Sequence, residues 1–171
     1  MSPEIIYSNR RTLALQVKDG RLIVRAPYGT SGRKIARMLD EHRAWIEKTL
    51  QKAQNAPKMT DDPAEVAALI AKAKEVLPGK IEKYAAQMGL YPAKVSVGRA
   101  KTRFGCCSEK RRLTFSAYLM LYPDEAIDYV VVHELAHLKY MNHGKRFYAL
   151  IARVLPDYKA RIKLLKGGKT S

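Results

Sequence analysis

The chain has 171 residues, 47% of them hydrophobic, so it is long and apolar enough to bury a core and is not a wholly disordered protein. Its 32 basic and 16 acidic side chains give a formal net charge of +16, which favours an anionic partner such as nucleic acid. The two cysteines are adjacent, which excludes a disulfide framework, and we expect a cytoplasmic protein without a signal peptide or a membrane span.

Two short runs of β-prone residues open the chain. Residues 12–17 and 21–26 flank Asp19 and Gly20, a pattern typical of a β-hairpin. From residue 31 to residue 50 the apolar positions recur every three or four residues. This periodicity predicts a helix after the hairpin.

A polar segment then separates two regions of the chain. Residues 55–62 carry few apolar side chains and end in a helix-start signal, which indicates a linker. We therefore expect an N-terminal region of hairpin and helix over residues 1–55 and a core region over residues 60–171. The two regions are expected to form one compact unit.

The core region begins with a helical pattern that Pro78 and Gly79 should kink or break. The pattern resumes after them and has a plausible C-cap at Gly89. Residues 95–97 and 113–116 then read as short strands.

The next helix carries a motif with recognisable chemistry. It runs from Pro123 to about Met141 and is apolar on nearly every face, as buried helices are. Within it, His133 and His137 lie four residues apart and share one face, with Glu134 beside them. This H-E-x-x-H spacing is that of zinc peptidases, in which the glutamate acts as general base.

A third histidine, His143, follows closely, and Asn142 or Gly144 could supply a left-handed turn that ends the helix before it. A core helix would bury its imidazoles at a cost of several kcal/mol each unless they were paired, and a metal removes that cost. Three histidine ligands leave the fourth position of a zinc ion open, the pattern of a catalytic site. We therefore predict one Zn²⁺ per chain, held by His133, His137 and His143.

A second group that stabilises the oxyanion is expected near the motif. The candidates are Tyr140, Tyr148 and Arg146, and nothing in the sequence selects among them. Residues of these types near such a motif are more often packing or surface residues. The histidine spacing equals that of metzincins, but Tyr140 stands at the glycine position of their signature and no methionine follows Met141.

The sequence resembles the YgjP-like metallopeptidases, which are related to the SprT-like and WLM zincins. The resemblance rests on residues 128–138, on Asn142, His143, Gly144 and Phe147, on the loop 101–108, on Arg25, Ala26 and Pro27, and on Trp45 and Ile46. Two positions depart from the family pattern: Phe104 stands where tryptophan is usual, and Cys106 where serine is usual.

The resemblance implies an α+β class and a minimal zincin-like metallopeptidase fold, with a short sheet over an active-site helix, preceded by the N-terminal β-hairpin and helices. It implies that His133, His137 and His143 hold zinc and that Glu134 is catalytic. In zincins an edge strand pairs with the extended substrate. Our candidate comprises Leu113, Thr114, Phe115, Ser116 and Ala117, for which an ordinary sheet strand is an equal alternative.

These observations favour a zinc metallopeptidase that hydrolyses peptide bonds in protein or peptide substrates, with Glu134 as general base. One alternative is a DNA-associated protease acting on nucleic-acid-bound or crosslinked proteins, because the basic segments 99–112 and 139–171 could contact phosphates. Another is a non-catalytic basic zinc-binding protein, although a structural site has no use for a buried carboxylate.

Overall fold

The computed structural model describes residues 3–18, 20–55 and 57–167, and the chain divides into two compact units, Met1–Ala56 and Pro57–Ser171. Within the described residues there are six α-helices and two three-stranded sheets, which confirms the predicted α+β class. Asp19 of the predicted hairpin and the end of the basic C-terminal segment lie outside the described residues. The predicted domain boundary between residues 55 and 60 stays a prediction.

The first unit is a small sheet followed by two helices. Its elements are β1 (Glu4–Ser8), β2 (Ala14–Lys18), β3 (Arg21–Pro27), α1 (Gly32–Glu41) and α2 (Arg43–Asn55). β2 and β3 pair antiparallel as the hairpin pattern predicts, while β1 pairs parallel with the other edge of β3. The predicted single helix is interrupted at His42, whose φ of −107° and ψ of 14° are not helical. Val24, Ala26 and Ile35 form the core of this unit.

The second unit contains the remaining elements. They are α3 (Pro63–Met88), β4 (Lys94–Gly98), β5 (Gly105–Cys107), β6 (Arg112–Ser116), a 3-10 helix (Ala117–Leu121), α4 (Asp124–Ala136), α5 (Lys145–Val154) and α6 (Tyr158–Gly167). Its core lies where α3, α4 and α5 meet the inner face of the sheet. In the described ranges no helix is long and apolar enough to cross a membrane.

α3 is longer than the sequence predicts. It begins at the cap residue Asp62, whose carboxylate accepts the N–H groups of Ala64 and Glu65, and it ends at Gly89, which adopts the predicted left-handed conformation with φ 65°. Pro78 and Gly79 were predicted to kink or break the helix, and the break is wrong, because α3 continues through Pro78. Buried residues on both sides of the proline pack against the core, and this packing offsets the backbone hydrogen bond that proline cannot make.

The sheet of the second unit has the order β4-β6-β5, so β6 is its middle strand. β4 pairs with β6 in parallel and β5 pairs with it antiparallel. The prediction that Leu113, Thr114, Phe115, Ser116 and Ala117 receive the substrate strand is therefore wrong, since both edges of β6 already have partners. β5 lies at the edge of the sheet instead.

An ion-pair cluster fixes α4 between two other helices. The Asp128 carboxylate accepts Lys80 Nζ of α3 at 2.6 Å and lies 3.3 Å from Arg161 Nη1 of α6. Lys80 also binds Asp124 at 2.6 Å, and Arg161 also binds Asp157 at 3.0 Å. The cluster holds the middle of α4, and the motif follows one turn later.

Candidate metal centre

The three histidines converge at the C-terminal end of α4. The helix ends earlier than predicted, at Ala136, and His137 is its C-cap residue. The N–H groups of Lys139 and Tyr140 both bond to the carbonyl of Ala136, so the chain turns back tightly. This turn lets His143, which lies in the following loop, reach the two helical histidines.

The predicted left-handed turn is absent from this loop. Gly144 has a φ of −80°, and the one non-glycine residue with positive φ in the described part of the chain is Arg111. Asn142 is thus not left-handed either. The C-cap residue of α4, His137, keeps right-handed helical angles of φ −64° and ψ −20°. The helix therefore ends in tight right-handed turns.

The geometry of the histidine nitrogens fits one metal ion. Nε2 of His133 lies 3.2 Å from Nε2 of both His137 and His143, and the last two nitrogens are 3.1 Å apart. Three nitrogens bound about 2.05 Å from a tetrahedral ion would be separated by roughly 3.3 Å. The triad can therefore hold one ion without a large rearrangement.

Hydrogen bonds on the far side of two rings orient the lone pairs inward. His137 Nδ1 donates to the carbonyl of Tyr140 at 3.0 Å. Because a carbonyl only accepts, the neutral ring of His137 presents an unprotonated Nε2 to the other histidines. His133 Nδ1 lies 3.2 Å from the hydroxyl of Tyr129, which plays the equivalent supporting role.

Electrostatics also keep the two helical histidines neutral. Burial, followed by the charges of His137 and His143, lowers the pKa of His133 to about 4. The pKa of His137 is lowered chiefly by burial. Since metal ligands must be deprotonated, both rings are ready to bind an ion at neutral pH.

Phe147 forms a support under all three imidazoles. Its ring centroid lies 4.9 Å from that of His133, 4.7 Å from that of His137 and 4.8 Å from that of His143. The apolar face of the amphipathic helix α5 buries this ring completely. The packing restricts the rotamers of the ligands before any ion binds.

Glu134 is the one acidic residue among the buried residues of the described chain, and it is 5% exposed. Its Oε2 atom has no hydrogen-bond partner in the described residues. Burial raises its pKa to about 7, and the positive charge of Arg103 opposes this rise. A buried carboxylate oxygen without a hydrogen-bond partner is costly. The Oε2 atom of Glu134 is therefore available to bind a group that enters the site.

The edge strand β5 passes directly over Glu134. Gly105, Cys106 and Cys107 line a cavity of about 350 Å³ together with the histidines, Glu134 and Met141. A Cβ atom on Gly105 would collide with the carboxylate, so only glycine leaves the observed space. Burial, followed by the charge of Glu134, raises the pKa of Cys107, which keeps it a thiol and favours a packing role.

An apolar cavity of about 240 Å³ adjoins His133 and Glu134. Phe104, Tyr129, Val130 and Leu165 form its apolar walls.

Sequence reasoning missed Tyr129, Gly105 and Phe147 as parts of the site. Tyr129 precedes His133 by four residues, and this helical spacing was the signal that could have found it.

The three candidates for oxyanion stabilisation occupy other places. Tyr140 contributes its carbonyl to His137, and its ring packs against the core. Tyr148 lies beside His143, with ring centroids 6.3 Å apart, and Arg146 is exposed on α5. In the described chain none of these side chains lines the cavity of the histidine triad. Their predicted role stays a prediction.

One comparison, with models of protein families, identifies a class of enzyme. A family model described as YgjP-like, metallopeptidase domain, matches residues 11–69 and 66–167. The chain is similar to the metallopeptidase zymogen abylysin of Pyrococcus abyssi, with 22% identity and a TM-score of 0.46 over 55% of this chain and 100% of that one. The metallopeptidase zymogen jannalysin of Methanocaldococcus jannaschii is similar at 18% identity and a TM-score of 0.44, over 50% and 91% of the two chains. No curated protein matches the chain.

Proposed function

The chain belongs to the YgjP-like metallopeptidase family, and from that premise we propose that it hydrolyses peptide bonds with one zinc ion held by His133, His137 and His143. The observation that carries this proposal is the mutual Nε2 separation of 3.1–3.2 Å among the three rings. As a metallopeptidase it acts on protein or peptide substrates.

The donor set supports zinc as the metal. Three neutral imidazole nitrogens suit a borderline ion of low coordination number, whereas magnesium and calcium prefer oxygen ligands. Zinc, when bound, supplies a Lewis acid that polarises the substrate carbonyl and makes water acidic near neutral pH.

Glu134 is proposed as the general base. Its unpartnered Oε2 accepts a proton from the attacking water, and the carboxyl group then returns this proton to the departing amine nitrogen. The apolar surroundings raise the pKa of Glu134 to about 7. A carboxyl group with this pKa can both accept and donate a proton near neutral pH. The same buried carboxylate argues against a non-catalytic zinc-binding protein.

β5 is proposed as the strand that binds the substrate backbone. Its outer edge has no partner strand in the described sheet, and its three residues line the cavity that contains Glu134. An extended peptide can add to such an edge through main-chain hydrogen bonds. The peptide bonds of the substrate would then pass close to the Glu134 carboxylate, because Gly105 has no side chain that would cover it. Association with nucleic acid rests on the net charge and on the basic segments 99–112 and 139–171, and it stays a prediction.

The test combines metal analysis with cleavage of an unfolded protein such as casein. We expect about one zinc per purified chain, and we expect Glu134→Gln to keep its zinc while losing cleavage. Glu125→Gln is a matched control, since Glu125 is an exposed acid on the same helix. Undiminished cleavage by Glu134→Gln would remove Glu134 from the mechanism, and a zinc-free protein with intact histidines would end the metal assignment.

A further inference from the structure

A second hollow adjoins the candidate metal centre on the side of the sheet. It has a volume of about 190 Å³, and its walls include Arg99, Arg103, Thr114 and Ser116. It shares Gly105 and Cys106 with the cavity of the histidine triad. A group bound in this hollow would therefore lie next to a peptide bound along β5.

The loop that carries the two arginines is held in place by Ser116. The Ser116 hydroxyl donates to the carbonyl of Ala100 at 2.6 Å, and the Ser116 N–H donates to the carbonyl of Phe104 at 2.8 Å. Ser116 itself is buried. These bonds fix the backbone at both ends of the loop, so the backbone positions of the two arginines are preorganised.

The cations of this loop face different surroundings. Lys101 forms an ion pair with Asp61 and lies 5.8 Å from the ring centroid of Tyr118. Arg99 and Arg103, by contrast, form no ion pair with any residue in the described ranges. The described residues that line the hollow include no acid. The charge of Arg103 acts on Glu134 without direct contact. Two exposed guanidinium groups beside one hollow, neither in an ion pair with a described residue, suit a ligand that brings its own negative charge.

We propose that Arg99 and Arg103 form a subsite for a carboxylate of the peptide substrate, next to the bond that is cleaved. This inference rests on the proposed peptidase function. The carboxylate has two sources, an aspartate or glutamate side chain near the cut or the free C-terminus of the peptide. Guanidinium groups bind carboxylates through paired hydrogen bonds, so the subsite selects acidic substrates over neutral ones.

The first experiment profiles cleavage sites in a proteome-derived peptide mixture with the zinc-loaded protein. We expect cuts to cluster near acidic residues or near the C-terminus. The best substrate is then resynthesised with its acidic side chains as amides, and separately with an amidated C-terminus. The analogue whose kcat/KM falls by about tenfold or more identifies the source of the carboxylate.

Variants assign that preference to the arginines. Arg99→Gln and Arg103→Gln should each raise KM for the acidic peptide about tenfold relative to KM for its neutral analogue. Because the charge of Arg103 also acts on Glu134, only Arg99→Gln is expected to leave the cleavage of the neutral analogue unchanged. Lys94→Gln, the same charge change at an exposed residue of β4, should leave the ratio of acidic to neutral cleavage unchanged. Equal ratios in wild type and both arginine variants would overturn the subsite.

A binding measurement separates failure of the subsite from failure of the peptidase proposal. Glu134→Gln is titrated with the acidic peptide, with its neutral analogue and with an oligothymidylate. Stronger binding of the acidic peptide, lost on adding Arg99→Gln and Arg103→Gln, supports the subsite even without cleavage. Equal binding of the two peptides overturns it. Binding of the oligonucleotide alone, lost in the same variants, also overturns it and indicates a phosphodiester ligand.

Discussion

A Cβ atom built on Gly105 lies 2.7 Å from Oε1 of Glu134, a distance that real Cβ contacts do not reach. The edge strand and the carboxylate thus occupy adjoining spaces with no room for a side chain between them. The glycine is required here for close approach, since its φ is not among the positive values in the chain.

Gly105→Ala should therefore push the Glu134 carboxylate aside. We expect kcat to fall on the order of 100-fold, because small misplacements of a catalytic group have effects of that size. Zinc content should not change. Gly79→Ala is the control, because a methyl group there meets no atom within 4 Å. Full activity in Gly105→Ala would show that the carboxylate position is not critical.

The histidine triad predicts a specific loss of metal. His143→Ala removes one of three ligands, so zinc affinity should fall by at least about 100-fold, beyond the effect of removing a supporting residue. The melting temperature should also lose its dependence on added zinc. The chain offers a control in His42→Ala, since His42 lies in the first unit and its Nδ1 bonds to the carbonyl of Met38. Competition with a zinc-binding dye measures the zinc affinity of both variants.

Tyr129 supports His133 from behind, and its hydroxyl should matter for metal binding. Tyr129→Phe keeps the ring and removes the 3.2 Å contact with His133 Nδ1. Zinc affinity should fall by about 10–100-fold, the usual effect of losing such a partner. Tyr91→Phe, at an exposed tyrosine, should have no effect. Unchanged affinity in Tyr129→Phe would mean that packing alone orients the ring.

The ion-pair cluster predicts unequal effects of two similar substitutions. The Asp128 side chain is 14% exposed and meets both Lys80 and Arg161, whereas the Asp124 side chain is 71% exposed. Asp128→Asn leaves two cations short of a partner, so the free energy of unfolding should fall by about 2 kcal/mol. Asp124→Asn should cost less than about 1 kcal/mol. Urea denaturation distinguishes them, and equal losses would refute the central place of Asp128.

Alkaline pH should destabilise the second unit through Tyr84. Burial, followed by a hydrogen bond to Asp128, raises the pKa of Tyr84 to about 12. An unfolded tyrosine titrates near pH 10, so this stabilisation is complete below about pH 10 and is lost as the pH rises towards 12. Tyr84→Phe should show a shallower loss of unfolding free energy over that range. Identical pH profiles for the two proteins would contradict the assignment.

Local patterns predicted the parts of the site that depend on local geometry. The H-E-x-x-H spacing required one helical turn between His133 and His137, and the motif does lie in a helix. The hairpin of β2 and β3 was equally local, because its register is set by the turn between the strands.

Pairing between distant segments could not be read from the sequence. β5 consists of a glycine and two cysteines and has no alternating pattern, so neither the strand nor its place at the sheet edge was predicted. β6 looks the same in sequence whether it lies at an edge or in the middle. The parallel pairing of β1 with β3 and the passage of α3 through Pro78 depend likewise on tertiary packing.

That parallel pairing has a practical consequence for shortened forms of the protein. Residues 4–8 pair with one side of β3 over residues 23–27, while β2 pairs with the other side over residues 21–25. A chain beginning after Ser8 would leave a row of bare amide and carbonyl groups on a strand whose side chains include buried apolar residues. We expect such a truncated protein to aggregate through pairing of β3 between molecules. Residues 4–8 thus protect the edge of β3 from self-association.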